Sequence, residues 1–116
     1  MLIQVLKSKL KEVIITAANT EYEGSITLDP DLMNAAMLWP YERVEVNAKH
    51  GTSRITTYVI PGKAGSGQVE LNGGAANFFK KGDKVHVNCF IFVEYDHEYG
   101  GPKQVIVKTD ENNKVI

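Results

Sequence analysis

One cysteine in 116 residues excludes an intrachain disulfide. That residue, Cys89, stands in the apolar run VNCFIFV, where a free thiol packs as a small hydrophobe. The three histidines, His50, His86 and His97, fall at no zinc-ligand spacing, so no metal site is expected. An excess of charge of one sign is missing too. Thirteen basic residues against fourteen acidic ones leave a net charge of -1, without the positive field that backbone-led nucleic-acid binding requires. No apolar run approaches the ~20 residues that span a bilayer. The lysine-rich start MLIQVLKSKLKEV has no apolar core followed by a cleavage site. The chain reads as a mature cytoplasmic protein that meets neither membrane nor nucleic acid.

What is present is ordinary for a folded globule: 43% hydrophobic and 23% charged residues. The length fits a single domain over residues 1–116, burying roughly two-thirds of its unfolded surface. Short β-branched runs predict strands over 2–6, 12–17, 44–48, 53–60 and, most strongly, 84–95, with VELN and QVIVK adding two more. Lys7, Lys9 and Lys11 alternate, as on the solvated face of an edge strand. Asp29-Pro30 opens a short helix that Trp39-Pro40 ends. GGAANFFKK reads as a second helical segment, PGKAGSGQ as a flexible loop, HEYGGPK as a turn and TDENNKVI as a fraying tail. A shift of 41 residues lays 35–47 over 76–88, each copy a short helix, a break, an acid-base pair and a V-x-V strand. Two such halves folded about a pseudo-two-fold axis predict a mainly β protein, a small barrel with brief helices.

Three stretches carry candidate chemistry. YEGSITLDP holds Gly24-Ser25, which composition alone makes a turn. NGGAA (72–76) is either a tight strand-to-helix junction or a backbone cradle for an anion. In RITTY (54–58), Arg54 and Tyr58 share a strand face, with Thr57 on the other. That pair is either a surface ladder or a carboxylate-reading cation beside a proton-giving phenol. GKAGSG is not a phosphate-binding loop of the G-x-x-x-x-G-K-[ST] kind.

Taken in order, K-x-K (Lys7, Lys9), Y-E-G-S (22–25), D-P-D (29–31), R-x-x-T-Y (54–58) and N-G-x-A-A (72–76) resemble the pyruvoyl-dependent aspartate 1-decarboxylases over nearly the whole chain. Two departures stand out. Lys11 occupies a position where that family often has histidine, and Gly74 one where alanine is common.

The resemblance implies a six-stranded double-psi β-barrel and a proenzyme that cuts itself between Gly24 and Ser25, giving chains 1–24 and 25–116. The Ser25 hydroxyl would attack the Gly24 carbonyl, with Thr57 donating to the oxyanion and Gly24 tolerating a strained backbone. Elimination and hydrolysis would leave a pyruvoyl group in place of Ser25, the covalent cofactor, without metal or pyridoxal phosphate. That group would take the amine of L-aspartate as a Schiff base and accept electrons as carbon dioxide leaves, giving β-alanine for pantothenate synthesis. Arg54 and Lys9 would read the substrate carboxylates, and Tyr58 would return the proton. Asn72, Gly73, Gly74 and Ala75 would line the pocket that Tyr22 shapes. The family is a homotetramer with sites between subunits, and a maturation factor is among the partners it admits. The flexible Gly65-Ser66 bond should stay whole. A non-catalytic barrel that binds an anion or a partner chain is the competing reading, and it predicts an uncut chain.

Overall fold

The strongest strand signal lies over 84–95, where valines alternate with polar residues. Alternation buries one face only in a strand, and the computed structural model, which describes residues 1–98 and 103–116, forms one there. Along the chain the elements are β1 (Leu2–Ile14), β2 (Ala17–Asn19), β3 (Ser25–Leu28), helix α1 (Pro30–Ala35), β4 (Arg43–Ala48) and β5 (Arg54–Pro61). They continue with β6 (Val69–Asn72), a 3-10 turn (Gly73–Asn77), β7 (Lys84–Glu94) and β8 (Val105–Lys108). Of the turn expected over HEYGGPK, residues 99–102 lie outside the described ones.

The strands form one mixed sheet in the order β2-β6-β3-β5-β4-β7-β1-β8. β1, next to one end of that order, is tied by the chain itself to β2 at the other end. Only Ile15 and Thr16 separate β1 from β2, and the Thr16 N–H donates to the Val69 carbonyl on β6 at 2.8 Å. The sheet therefore curls on itself as a small β-barrel. Its interior holds the inward rows: Leu10 and Val13 of β1, Ile26 and Leu28 of β3, Val44 and Val46 of β4, Val85 and Val87 of β7.

The 41-residue repeat has a structural counterpart. Val46 pairs with Val87, its own repeat mate, and the flanking pairs Glu45↔Asn88 and Asn47↔His86 exchange under the same shift. A two-fold axis through that pair maps the ladder onto itself.

Five expectations change. Residues 2–6 and 12–17 are not two strands; one long β1 covers all of the first and residues 12–14 of the second, with irregularities between Leu6 and Ser8 and between Leu10 and Val13 that let it bend. Its lysines do not mark an edge, because β7 and β8 flank β1. Lys7, the extra residue of the first irregularity, is turned to the Glu42 carboxylate (2.7 Å) and the Met37 carbonyl (2.7 Å). The first helix keeps its Asp29 cap, which accepts from the Asp31 N–H at 2.8 Å. It stops before Trp39-Pro40, because Met37 adopts φ 55°. The Gly/Lys loop is pinned rather than loose. Asp29, fully buried, accepts from the N–H groups of Gly65 (3.0 Å) and Gly67 (2.8 Å). The tail does not fray. Asn113 is buried, donates to the Ile14 and Gly67 carbonyls at 2.8 Å each, and accepts from the Ile14 N–H at 2.8 Å.

Cys89 is buried as expected. Burial, with the Glu42 carboxylate beside it, pushes its thiol up to about 11, so it is no nucleophile at neutral pH.

Candidate active site

Three neighbouring strands build a wall on the outer side of the barrel. Directly opposed residues in a ladder share a face. Pairing with β6 sets Ser25 and Thr27 of β3 against Asn72 and Glu70. Parallel pairing with β5 sets Thr27 beside Ile60, and Tyr58, two residues earlier, faces the same way. These six side chains, with Tyr22 and Tyr41 at the rim, line a cavity of about 690 Å³.

Within that wall Ser25 is 3% exposed. The Asn72 side-chain N–H donates to the Ser25 Oγ at 2.8 Å and to the Thr27 Oγ1 at 2.9 Å. The amide fixes the position of the Ser25 oxygen while leaving the hydroxyl proton free to be given away. Tyr58, 37% exposed, leans against Tyr41, their ring centres 6.3 Å apart.

Gly73 presses on the segment ahead of Ser25. It holds φ +67°, and a Cβ there would stand 2.7 Å from the Gly24 nitrogen and 2.8 Å from the Tyr22 oxygen. Only glycine lets the two backbones approach so closely. Gly24 itself is outside the left-handed region, and a Cβ on it would meet nothing within 4 Å. No left-handed backbone marks Gly24, and the crowding belongs to Gly73.

Thr57 sits on the inward row with Ile55 and Val59. Continuing the Ile26↔Val59 register back by two residues sets it level with Gly24. Among the described residues its hydroxyl makes no hydrogen bond to Gly24 or Ser25. Gly74 is exposed and Ala75 half-buried, and neither lines the cavity.

Arg54 and Lys9 are elsewhere. Arg54 precedes Tyr58 by four residues, about 13 Å along β5. Lys9 lies on β1, three strands beyond β5. Among the described residues the cavity is lined by three carboxylates, Glu21, Glu23 and Glu70, and by no lysine or arginine. A dicarboxylate entering this wall would meet repulsion unless cations were supplied from outside it.

Thr27, Glu70 and Tyr41 belong to the wall and were not singled out from the sequence. Period-two alternation identifies the first two, once Ser25 and Asn72 are chosen. Tyr41 has no such signal. It is brought in by its φ of 70° and by its N–H donating to the Val59 carbonyl at 2.7 Å.

A family model described as aspartate decarboxylase matches residues 1–116. Several relatives carry the name aspartate 1-decarboxylase. That of Caldicellulosiruptor saccharolyticus is 43% identical over 116 residues, all of this chain and 90% of its own length. That of Syntrophus aciditrophicus is 43% identical over 111 residues, 96% of this chain and 95% of its own. That of Dehalococcoides mccartyi is 58% identical over 82 residues, 70% of this chain and 65% of its own.

Proposed function

The chain belongs to the aspartate decarboxylase family, whose fold is a double-psi β-barrel, and on that premise we propose how its residues remove one carboxylate of L-aspartate to give β-alanine and carbon dioxide. The observation that carries the reading is Ser25, buried behind Gly24, its oxygen held by Asn72 at the wall of a cavity that Tyr58 also lines.

The first task is self-cleavage. The Ser25 oxygen adds to the Gly24 carbonyl carbon, the Gly24–Ser25 C–N bond breaks, and an ester replaces the amide. Thr57, level with Gly24 by register, steadies the oxyanion. Loss of the Ser25 Cα proton then expels Gly24 as a carboxylate, and water releases the nitrogen as ammonia. Gly73 holds residues 22–24 against the wall while this proceeds. Because Gly24 bears no side chain, the approach to its carbonyl is open.

The resulting pyruvoyl group fits the site. Ser25 faces a cavity roomy enough for a small amino acid, and the Asn72 amide is a ready donor to a keto oxygen. When formed, that group supplies the electron sink for the carbanion left by decarboxylation. The chain's side chains do the rest. Tyr58 gives a proton to the reacting carbon. Tyr22 and Tyr41 form the rim. The backbone of Gly73 sets the edge of the pocket nearest Gly24.

Arg54 and Lys9 bind the substrate carboxylates, Arg54 through its planar fork. The cationless lining of the cavity supports their arrival from a second copy of the chain, in a homotetramer with sites between subunits. The β-alanine product feeds pantothenate synthesis. A free thiol fits a reducing compartment, and we assign the protein to the cytoplasm. An accessory factor for maturation is compatible with this scheme.

Intact mass of the purified protein, with amino-acid analysis after incubation with L-aspartate, tests the reading. Chains 1–24 and 25–116 and the appearance of β-alanine are expected. A stable uncut chain without product would favour a binding barrel instead.

A further inference from the structure

The face carrying Arg54 and Lys9 has a third member. Across β5, β4 and β7, Arg54 stands opposite Asn47, and Asn47 opposite His86. On the next rung Thr56, Glu45, Asn88 and Lys9 follow one another across β5, β4, β7 and β1. His86 thus lies between the two cations, two strands from Arg54 and diagonal to Lys9, with its side chain on their face.

The imidazole is oriented. At the second irregularity of β1, Lys11 and Glu12 both lie across from His86. Glu12 has φ 57°, and its N–H, out of the ladder, donates to the His86 Nδ1 at 3.2 Å. A neutral ring that accepts at Nδ1 carries its proton on Nε2 and offers it away from that backbone. Burial, then the charge of Lys9, holds the imidazole below its ordinary value, with Lys11 and Lys49 adding to this and the Glu12 carboxylate opposing.

The face is also unfinished. Among the described residues neither Arg54 nor Lys9 forms an ion pair. The Oδ1 atoms of Asn47 and Asn88, which flank His86, are buried without partners. The carboxylates on these two rungs are Glu45 and Glu12, and Glu12 is paired with Lys49.

We propose that His86 is a substrate-binding residue, donating its Nε2–H to the carboxylate that stays on the substrate while Arg54 and Lys9 supply the charge. The ladder places His86 directly across from residue 11, where the family often has histidine and this chain has lysine. The proposal rests on the aspartate reading above. A neutral donor fits this place because two cations already balance the substrate's charge. A third would strengthen binding without orienting it.

The test uses the processed protein and succinate, which has two carboxylates and no amine to react. Its Kd is measured by calorimetry, beside KM for L-aspartate. His86→Asn keeps an acceptor near Nδ1 for the Glu12 N–H and has nothing at Nε2. His86→Gln reaches the Nε2 position and leaves Glu12 unserved. His86→Asn should weaken succinate and raise KM by about tenfold or more, the scale of a hydrogen bond to a charged group, with cleavage and Tm unchanged. Adding Lys11→His to that variant should restore most of the affinity. His86→Gln should keep affinity and lose Tm. The proposal is overturned if His86→Asn binds succinate within twofold of wild type, or weakens it only together with Tm and cleavage. Wild type that binds succinate and forms no β-alanine defeats the functional reading instead, and leaves the His86 contact standing.

Discussion

The chain contains two Gly-Ser bonds, Gly24-Ser25 and Gly65-Ser66, and their surroundings differ in the disposition of the serine proton. Ser66 is exposed, and its hydroxyl donates to the Lys63 carbonyl at 2.5 Å while accepting from the Gln68 N–H at 3.2 Å. It closes a turn, as serine hydroxyls commonly do. The Gly65 carbonyl has the Lys114 ammonium on it, so polarisation is not what that bond lacks. It lacks a nucleophile aimed at the carbonyl. Ser25 is buried, accepts from Asn72 and keeps its own proton uncommitted. The two dipeptides share their chemistry and differ in the hydrogen bonds that the fold gives each hydroxyl.

The most severe test removes each hydroxyl in turn. Ser25→Ala should abolish cleavage altogether, leaving one chain of full mass. Ser66→Ala should cleave at the wild-type rate and lose only a turn bond. Cleavage in Ser25→Ala, or its failure in Ser66→Ala, breaks the contrast.

Next in size is the oxyanion donor. Thr57→Val keeps the β-branched shape and removes the hydroxyl. Cleavage should slow by about 100- to 1000-fold, the usual cost of one such donor. A time course on a denaturing gel measures it, and wild-type kinetics would free Thr57 of the role. Tyr58→Phe should separate cleavage from turnover. The cut should appear normally, while β-alanine formation by the processed protein falls by roughly 100-fold. Undiminished product would assign the proton to another group.

Much of this was legible in the sequence, in a graded way. The β7 strand, the Asp29 cap and the V-x-V repeat follow from alternation and capping, which are local and survive folding. Ser25, Asn72 and Tyr58 were found as motif members, and their convergence on one cavity agrees with the register. The pinned loop and tail were misread for one reason. Asp29, Gly65, Gly67 and Asn113 are far apart in the chain, and polar residues rich in glycine look flexible until a buried partner is known. Gly24 is legible only in part, because a glycine can mark strain or open space, and the coordinates show the space. Lys9 and Arg54 share a face with each other and not a cavity with Ser25, which alternation cannot reveal across strands of unknown order.

The second Gly-Ser bond should instead matter for stability. Gly67 holds φ +72°, and a Cβ would come within 2.4 Å of the Asn112 carbonyl oxygen. Gly67→Ala should lower unfolding free energy by about 2 kcal/mol, from the left-handed backbone alone, with some addition from the displaced tail. Cleavage at Gly24-Ser25 should proceed at its normal rate in whatever fraction is folded. Chemical denaturation with a parallel cleavage assay separates these effects. A slowed cut in the folded fraction would tie the two regions together.

The smallest effect concerns Asp29, which pins that loop. Burial would raise its carboxyl, but the N–H donors of Asp31, Gly67 and Gly65 outweigh it and hold the group below the ordinary range. A depressed carboxyl stabilises the fold fully above its unfolded-state value, about 3.9. That contribution is lost as pH falls through the lower folded-state value. Asn is also a good helix cap, so Asp29→Asn keeps the oxygen that serves Asp31 and Gly65. Its amide N–H₂ would face the Gly67 N–H, donor to donor. The variant should be less stable by about 1 kcal/mol near neutral pH, the low end for an unpartnered buried donor. Because the variant has no proton to gain, the gap should narrow as the pH drops toward 2. Melting curves of both proteins from pH 6 downward measure it. A gap independent of pH would mean that the oxygen's shape, and not its charge, holds Gly65-Ser66 in the turn that keeps it from resembling Gly24-Ser25.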